Sequence, residues 1–278
     1  MIKIYKEYDL KNSCYSHLSS IVKYYIETDD IKVIISIIKM VDNYLFVGKM
    51  SKILFAFKNK DIVIVHYIND KLLLKNNLLI ANSGVSLKAL SNFCIINSIQ
   101  GFEKISTIPG ELGGSIKNNA SFLDQGIIEN LLFILAIDKD GHRKILSKNQ
   151  LDISYRNVKN LNELFVYQVI FKIKKKPRFL LYFERKKAIE YRIKNQPHIL
   201  SLGSTFKNYK DLKAYKIIEK FIDFREFQGV KISSSHLNFI QISPFIDYLN
   251  IVKLIERIQE VVYNKLSFYL ETEIKIIY

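Results

Sequence analysis

Ile108-Pro-Gly-Glu-Leu-Gly-Gly114, followed by Asn118-Asn119-Ala120, sets three glycines within five positions behind a proline. The stretch lies between a helical pattern and an apolar one. It has too much backbone freedom for a core element and too ordered a context for a linker. Glycine there lets main-chain N–H groups approach something that has no room for Cβ atoms. A phosphate is the usual candidate, because clustered N–H donors stabilise anionic oxygens. A tight turn between two buried elements satisfies the same spacing.

Working outward, residues 86–99 carry Leu87, Leu90, Phe93, Cys94 and Ile96 on one helical face, with Ser86 placed to cap it. Further upstream, 44–47, 53–57, 62–65 and 78–81 are short apolar runs bounded by Gly, Asn, Asp and Lys, as buried strands should be. Downstream, 131–137 and 143–146 flank Asp138-Lys-Asp-Gly141 as a hairpin, and 165–173 alternates as a further strand. Composition shifts at Lys174-Lys-Lys-Pro177. Beyond it the pattern predicts helices over 179–194 and 211–224 and a turn and strand over 230–242. A third helix is expected to open at Ser243-Pro244, with Tyr248, Ile251, Val252, Ile255, Ile258 and Val262 in one stripe, before a closing strand over 270–278. The class is α+β, in two units divided near residue 176.

With 278 residues there is room for roughly two domains. Hydrophobic residues make up 49% and proline only four positions, so a sizeable core is expected and extensive disorder is not. Cys14 and Cys94 show no metal or redox spacing and read as small buried hydrophobes, and the histidines are scattered, so no metal site is expected. The first residues lack the apolar core of a signal peptide, and no apolar run nears the ~20 residues that cross a bilayer. A cytoplasmic protein without a membrane partner is the expectation. The charge of +15 invites a nucleic-acid reading. Its lysines are spread along the chain in step with Ile, Asn, Tyr and Phe, as an AT-rich coding bias would give, so no nucleic-acid partner is expected. The same charge suits an anionic small substrate.

Several segments, in order, resemble the UDP-N-acetylenolpyruvoylglucosamine reductase family. Ser83-Gly-Val-Ser-Leu-Lys-Ala-Leu90, Gly101-Phe-Glu and Ile108-Pro-Gly-x-x-Gly-Gly114 through Asn119-Ala120 are similar to its flavin-binding segment. Ser154-Tyr-Arg156 resembles its Gly-Tyr-Arg motif, and Gln196-Pro197 with Gly203-Ser-Thr-Phe-Lys-Asn208 its Gly-Ser-x-Phe-Lys-Asn signature. Ser235-His-Leu-Asn-Phe-Ile240 and Leu270-Glu-Thr-Glu273 resemble its His-Ala-Asn-Phe-Ile and Leu-Glu-x-Glu segments. Each is weak alone; together and in order they are specific. The resemblance implies an FAD-binding domain of the vanillyl-alcohol-oxidase (PCMH) type over 1–176, in lobes of about 1–68 and 69–176, and a substrate-binding α+β domain over 177–278. It also implies a monomer that takes UDP-N-acetylglucosamine enolpyruvate and NADPH. FAD would meet Gly48, Ser51, Ser106, Ile108, Pro109, Gly110, Gly113, Gly114, Asn119 and Ala120. Tyr155, Gln196, Lys207 and Asn208 would serve the substrate.

The implied reaction passes hydride from NADPH to FAD and then to the enolpyruvyl double bond. The carbon beside the carboxylate becomes carbanionic and must be stabilised, then protonated. Arg156 is assigned the stabilisation, since a guanidinium stays charged and grips a carboxylate through two donors. Glu273 shares that work, either protonated or by orienting Arg156, because an ionised carboxylate would oppose the developing charge. Ser204 delivers the proton and needs a nearby cation, for which Lys207 is the candidate by proximity in sequence. On their own residues, Arg156 also reads as a surface arginine, Ser204 as a turn serine and Glu273 as an edge carboxylate sharing a face with Glu271; His236 reads as structural.

Two glycine sites of the family are altered. Leu18-Ser19-Ser20 stands for Ile-Gly-Gly, and Gly48-Lys-Met-Ser-Lys52 for the Gly-Gly-Gly-Ser-Asn phosphate loop. Positive φ at Lys49 or Met50 would cost about 1 kcal/mol each, and Lys49 or Lys52 could offset this by neutralising phosphate. Ser121 also replaces a common glycine. The alternative function is a non-catalytic UDP-sugar-binding relative with weakened FAD binding.

Overall fold

Residues 1–243 and 245–278 are described by a computed structural model, in which contacts gather into two compact units. The first comprises Met1–Tyr8, Val22–Lys49 and Asp61–Arg192; the second comprises Asp9–Ile21, Met50–Lys60 and Ile193–Tyr278.

Two sheets organise the first unit. The strands Ile2–Asp9, Ile21–Thr28, Asn59–Tyr67 and Tyr44–Val47 lie side by side in that order, the last pair parallel. Helix α1 (Ile31–Met40) turns Ile34, Ile37 and Ile38 onto a core with Val63 and Val65. Its isoleucines favour strand by propensity, but their spacing of three and four builds one helical face, and Asp30 caps the first turn by accepting from Lys32 N at 2.8 Å. The other sheet is antiparallel, ordered Arg143–Ser147, Leu131–Ile137, Phe165–Lys172, Leu78–Asn82, Leu72–Lys75. Helices α2 (Leu87–Ile96) and α3 (Leu112–Lys117) contribute to a core with Leu79, Ile134, Val169 and Phe171. Ser86 caps α2 by accepting from Ala89 N at 3.1 Å, as its sequence predicts. Helix α4 (Arg178–Asn195) begins just after Pro177 and buries Leu181 and Ala188.

The strand Ile53–Phe55 of the second unit runs parallel to Lys275–Ile277, Ile53 opposite Lys275. A small sheet orders Glu226–Phe227, Val230–Ile232 and Ile240–Gln241. Helices α5 (Ala214–Phe221) and α6 (Tyr248–Leu266) close its core, and α6 buries the expected stripe of Ile251, Val252, Ile255, Ile258 and Val262.

Several sequence expectations are corrected. The strand Ile2–Asp9, the strand Ile21–Thr28 and α1 have no counterpart in the expected elements. Helix α5 starts at Ala214, where Asn208 Oδ1 accepts from its N–H at 3.0 Å, and not near Asp211. Helix α6 starts at Tyr248 because Asp247 accepts from Leu249 N at 2.9 Å and takes the cap from Ser243-Pro244; Pro244 itself lies outside the described residues. The closing strand is only Lys275–Ile277. The division is not at residue 176: α4 adds most of its length to the first unit, and the parallel pair with Lys275–Ile277 carries 50–60 into the second.

Candidate active site

Three motifs distant in sequence meet around Ser204 in the second unit. Gly203 takes φ +72, a left-handed conformation that disfavours any Cβ, and Ser204 bridges antiparallel to Phe239. Thr205 N donates to Asn238 O at 2.8 Å, and Glu273 N donates to Thr205 O at 2.7 Å. Lys207 N donates to Glu271 O at 2.8 Å. The buried Asn238 side chain completes the tie, accepting from Phe206 N at 2.9 Å and donating to Phe206 O at 2.8 Å. Ser204 and Glu273 are thus fixed by main chain, whatever their own side chains do.

The cation of this cluster is Lys52. Its Nζ donates to Ser204 O at 2.7 Å and lies 3.0 Å from Glu273 Oε1; the Glu273 side chain is only 8% exposed. Lys275 N donates to Lys52 O at 2.8 Å, so the parallel pairing delivers Lys52 to this place. Lys207, expected beside Ser204, instead pairs with the exposed Glu271 at 2.9 Å. Glu271 and Glu273 do not share a face, because 270–273 is irregular chain in which strand alternation does not apply. The ammonium of Lys52 also answers the charge problem at Glu273: the ion pair is neutral as a whole.

Asn208 Oδ1 accepts from Ala214 N at 3.0 Å at the start of α5. Gln196 holds its Oε1 buried without a hydrogen-bond partner, the mark of a group awaiting one. His236 lies against Phe239, with ring centroids 4.8 Å apart, and burial pushes its imidazole below its ordinary pKa, in keeping with a structural histidine.

Arg156 belongs to the first unit, at a two-residue turn between Ile153–Ser154 and Asn157–Val158. It takes φ +56, a strained conformation costing roughly 1 kcal/mol. Its Nη1 donates to Ser121 Oγ at 2.8 Å and to Ser121 O at 3.4 Å, and the guanidinium lies 5.5 Å from the Tyr155 ring centroid. Asn119, at φ +42, donates its Nδ2 to Ser154 O at 3.0 Å. The serine that departs from the common glycine is therefore the partner that orients Arg156.

The glycine loop combines a turn with an open backbone face. Gly113 N donates to Ser83 O at 2.9 Å, and a Cβ on Gly113 would come 3.0 Å from that of Ser83, so this glycine serves packing. Gly110 takes φ +143, which favours glycine, and a Cβ on Gly114 would meet nothing within 4 Å. Ala120 is buried, Ile108 packs on the core, and Ser106 Oγ donates to Glu103 O at 3.0 Å. Glu103 explains Gly101-Phe-Glu: its Oε2 accepts from Gly101 N at 2.8 Å and Phe102 N at 3.0 Å. Around Gly48 the neighbours are side chains. A Cβ there would lie 2.8 Å from Glu111 Oε2, and that buried carboxylate is held by His66 Nε2 at 3.0 Å and by Lys49 Nζ at 3.6 Å. Met50 is buried at φ +52, as the lost glycines foreshadow.

An anionic cofactor is accommodated unevenly by these residues. The bare backbone at Gly114 and the positive charge of Lys49 suit a phosphate-bearing flavin. At Gly48, the Glu111 carboxylate stands where a glycine-only loop would leave space, its charge countered by Lys49. The fit holds at the Ile108-to-Gly114 loop and is altered at the Gly48 loop.

Nothing in the sequence pattern points to Lys52 as the partner of Glu273, to Ser121 as that of Arg156, or to the His66–Glu111 pair. For Ser121 the signal is a hydroxyl residue where glycine is usual; Lys52, His66 and Glu111 carry no such mark.

The family model for the C-terminal domain of UDP-N-acetylenolpyruvoylglucosamine reductase matches residues 196–277. The UDP-N-acetylenolpyruvoylglucosamine reductase of Pelagibacter ubique is 30% identical over 286 residues, covering 99% of this chain and 95% of that protein. The protein of the same description from Clostridium tetani is 31% identical over 211 residues, covering 75% of this chain and 69% of its own length. Among solved structures, the reductase of Thermus caldophilus superposes with a TM-score of 0.84 at 20% identity, covering 99% of this chain and 98% of that one. That likeness establishes the α+β fold.

Proposed function

The chain belongs to the UDP-N-acetylenolpyruvoylglucosamine reductase family, and from that premise we propose how its residues divide the family's reaction. It reduces the enolpyruvyl group of UDP-N-acetylglucosamine enolpyruvate to give UDP-N-acetylmuramate, an oxidoreductase step of peptidoglycan precursor synthesis. A flavin is the redox group; we take it to be FAD, with NADPH as the hydride donor. When bound, FAD supplies a two-electron relay between NADPH and the enolpyruvyl double bond. The first unit would hold it through the backbone of Ile108, Pro109, Gly110, Gly113 and Gly114, with Ser106, Asn119 and Ala120 beside them. Gly48, Ser51 and Lys49 would serve the diphosphate.

Arg156 binds the substrate carboxylate and stabilises the charge that develops on the neighbouring carbon, the role for which a permanently charged, two-pronged donor is suited. Ser121 orients it. Ser204 gives its hydroxyl proton to that carbon as the hydride reaches the other one, so one C–H bond forms at each end of the former double bond. A serine hydroxyl is a weak acid, and Lys52 stabilises the negative charge left on its oxygen. Glu273 holds Lys52, and Gln196 offers its buried Oε1 to a substrate donor. Tyr155 lines the carboxylate end, while Lys207 contributes only charge at the surface. The substrate part is assigned chiefly to residues 193–278 of the second unit.

The observation that supports this division is the Ser204–Lys52–Glu273 cluster, in which Lys52 Nζ donates to the main-chain oxygen of Ser204 at 2.7 Å and so stands beside the residue whose hydroxyl would give the proton. We expect a monomer in the cytoplasm; among the described residues no helix is long and apolar enough to cross a membrane. The test is the absorbance of the purified chain with FAD: a flavin spectrum bleached by NADPH and restored by the enolpyruvyl substrate is expected. A chain that takes up flavin and UDP-sugar but leaves NADPH unoxidised would overturn the catalytic reading.

A further inference from the structure

Helix α4 has two apolar faces, and only one is buried. Leu181 and Ala188 face the core, and Arg185 bonds Asn92 on that side. On the opposite side Phe179, Tyr182 and Phe183 stand 72%, 57% and 55% exposed, with Ile189 continuing the stripe two turns on. These residues follow the spacing of three and four that places them along one edge of a helix. They form an open groove edged by Arg178 and Lys186. Three large aromatic side chains set together in solvent are not scattered surface hydrophobes; such a patch marks a contact.

Charge decides what makes the contact. The helix carries six basic side chains against two acidic ones, and Lys174-Lys-Lys176 precede it. Of its acids, Glu184 is paired with Lys176, and the exposed Glu190 lies 3.9 Å from Lys186, which leaves the helix a net positive charge. Lys187 Nζ lies 4.4 Å from the Phe183 ring centroid, so a cation and a ring share the exposed edge. A second copy of the chain would bring this positive face against its own like charge. An anionic bilayer surface matches both halves: aromatic rings enter the headgroup layer, lysines reach the lipid phosphates, and their stems cover apolar surface. The overall charge of +15 adds long-range attraction to such a surface. The sequence argues against a span, and a helix lying on the surface needs none.

We propose that α4 is a peripheral membrane-binding helix, docking the chain reversibly on anionic lipid through Phe179, Tyr182, Phe183 and the flanking Lys186 and Lys187. Vesicle partition requires neither flavin nor substrate and is measured separately from turnover. The full chain is sedimented with phosphatidylcholine vesicles, with and without phosphatidylglycerol. Because the chain contains no tryptophan, Phe179→Trp reports the environment of the helix by its emission alone. The expected result is co-sedimentation and a blue shift only with phosphatidylglycerol, partition falling about tenfold or more in K186E/K187E and in F179S/F183S. Both double variants alter exposed side chains and keep the wild-type far-ultraviolet circular dichroism. Absence of partition would overturn the proposal, as would equal partition of the wild type and both variants, which assigns the binding to diffuse charge. A concentration-dependent dimer abolished by F179S/F183S, or capture of an acidic polypeptide without vesicle binding, would reassign the face to a protein and overturn it too.

Discussion

Around Ser204, strands of chain that begin at residues 203, 238 and 271 are fastened to one another by main-chain hydrogen bonds of 2.7–2.8 Å. Around Gly48, the neighbours meet through side chains: Glu111 against the glycine, His66 and Lys49 against Glu111. The two regions differ in what a substitution can disturb. A segment held by its backbone keeps its geometry when surface side chains change, and exposes the few that carry charge to selection for chemistry. A cradle lined by side chains changes with each of them. The first region keeps Ser204 and Glu273 in place; the second has exchanged glycines for a lysine and a buried methionine and still folds, at the cost of a left-handed Met50.

The largest expected effect separates the two lysines near Ser204. Lys52→Met should lower kcat about 100-fold, within the range for support of a general acid, whereas Lys207→Met should stay within about threefold; steady-state kinetics decide it. Equal losses in both would show that position on the loop, and not the contact with Ser204 and Glu273, matters.

Next comes the main-chain tie itself. Asn238→Ala removes two hydrogen bonds to Phe206 and leaves buried partners unmet, so unfolding by urea should show a loss of about 2 kcal/mol. Asn208→Ala, which uncaps α5, should cost about 1 kcal/mol. A neutral Asn238→Ala would mean that the backbone bonds alone hold the segment.

The smallest effect on stability, and the sharpest contrast between regions, falls on the glycines. Gly114→Ala meets open space in a helix and should raise stability by roughly 0.5–1 kcal/mol, while flavin affinity, read by fluorescence quenching, falls about tenfold because the added methyl group enters the cofactor's place. Gly48→Ala pushes against the Glu111 carboxylate and should lower stability instead. Unchanged flavin affinity in Gly114→Ala would remove that face from the cofactor site.

Much of this architecture is legible from residue patterns, for reasons that differ by element. Alternation along 165–173 and the caps at Ser86 mark their elements because local sequence and burial agree there. The stripe of α6 is equally plain, yet its start is not: two capping signals compete four residues apart, and the Asp247 carboxylate takes the position. Helix α1 hides because its β-branched residues contradict their own spacing. In the site, Gly203 is readable because its left-handed backbone favours glycine, whereas Ser204 and Glu273 are readable only through the likeness of their segments to the family's. Lys52 is not, because its place depends on a parallel pairing with Lys275, more than 200 residues away in the chain. Lys207 looks nearer only along the sequence.

The proton donor can be examined in one measurement, by following the flavin absorbance of wild-type chain and Ser204→Ala through the two halves of turnover in a stopped-flow instrument. NADPH should bleach both at similar rates, and the enolpyruvyl substrate should restore the colour promptly only in the wild type, at least about 100-fold faster than in the variant. Restoration at the wild-type rate in Ser204→Ala would contradict the assignment of Ser204 as the acid.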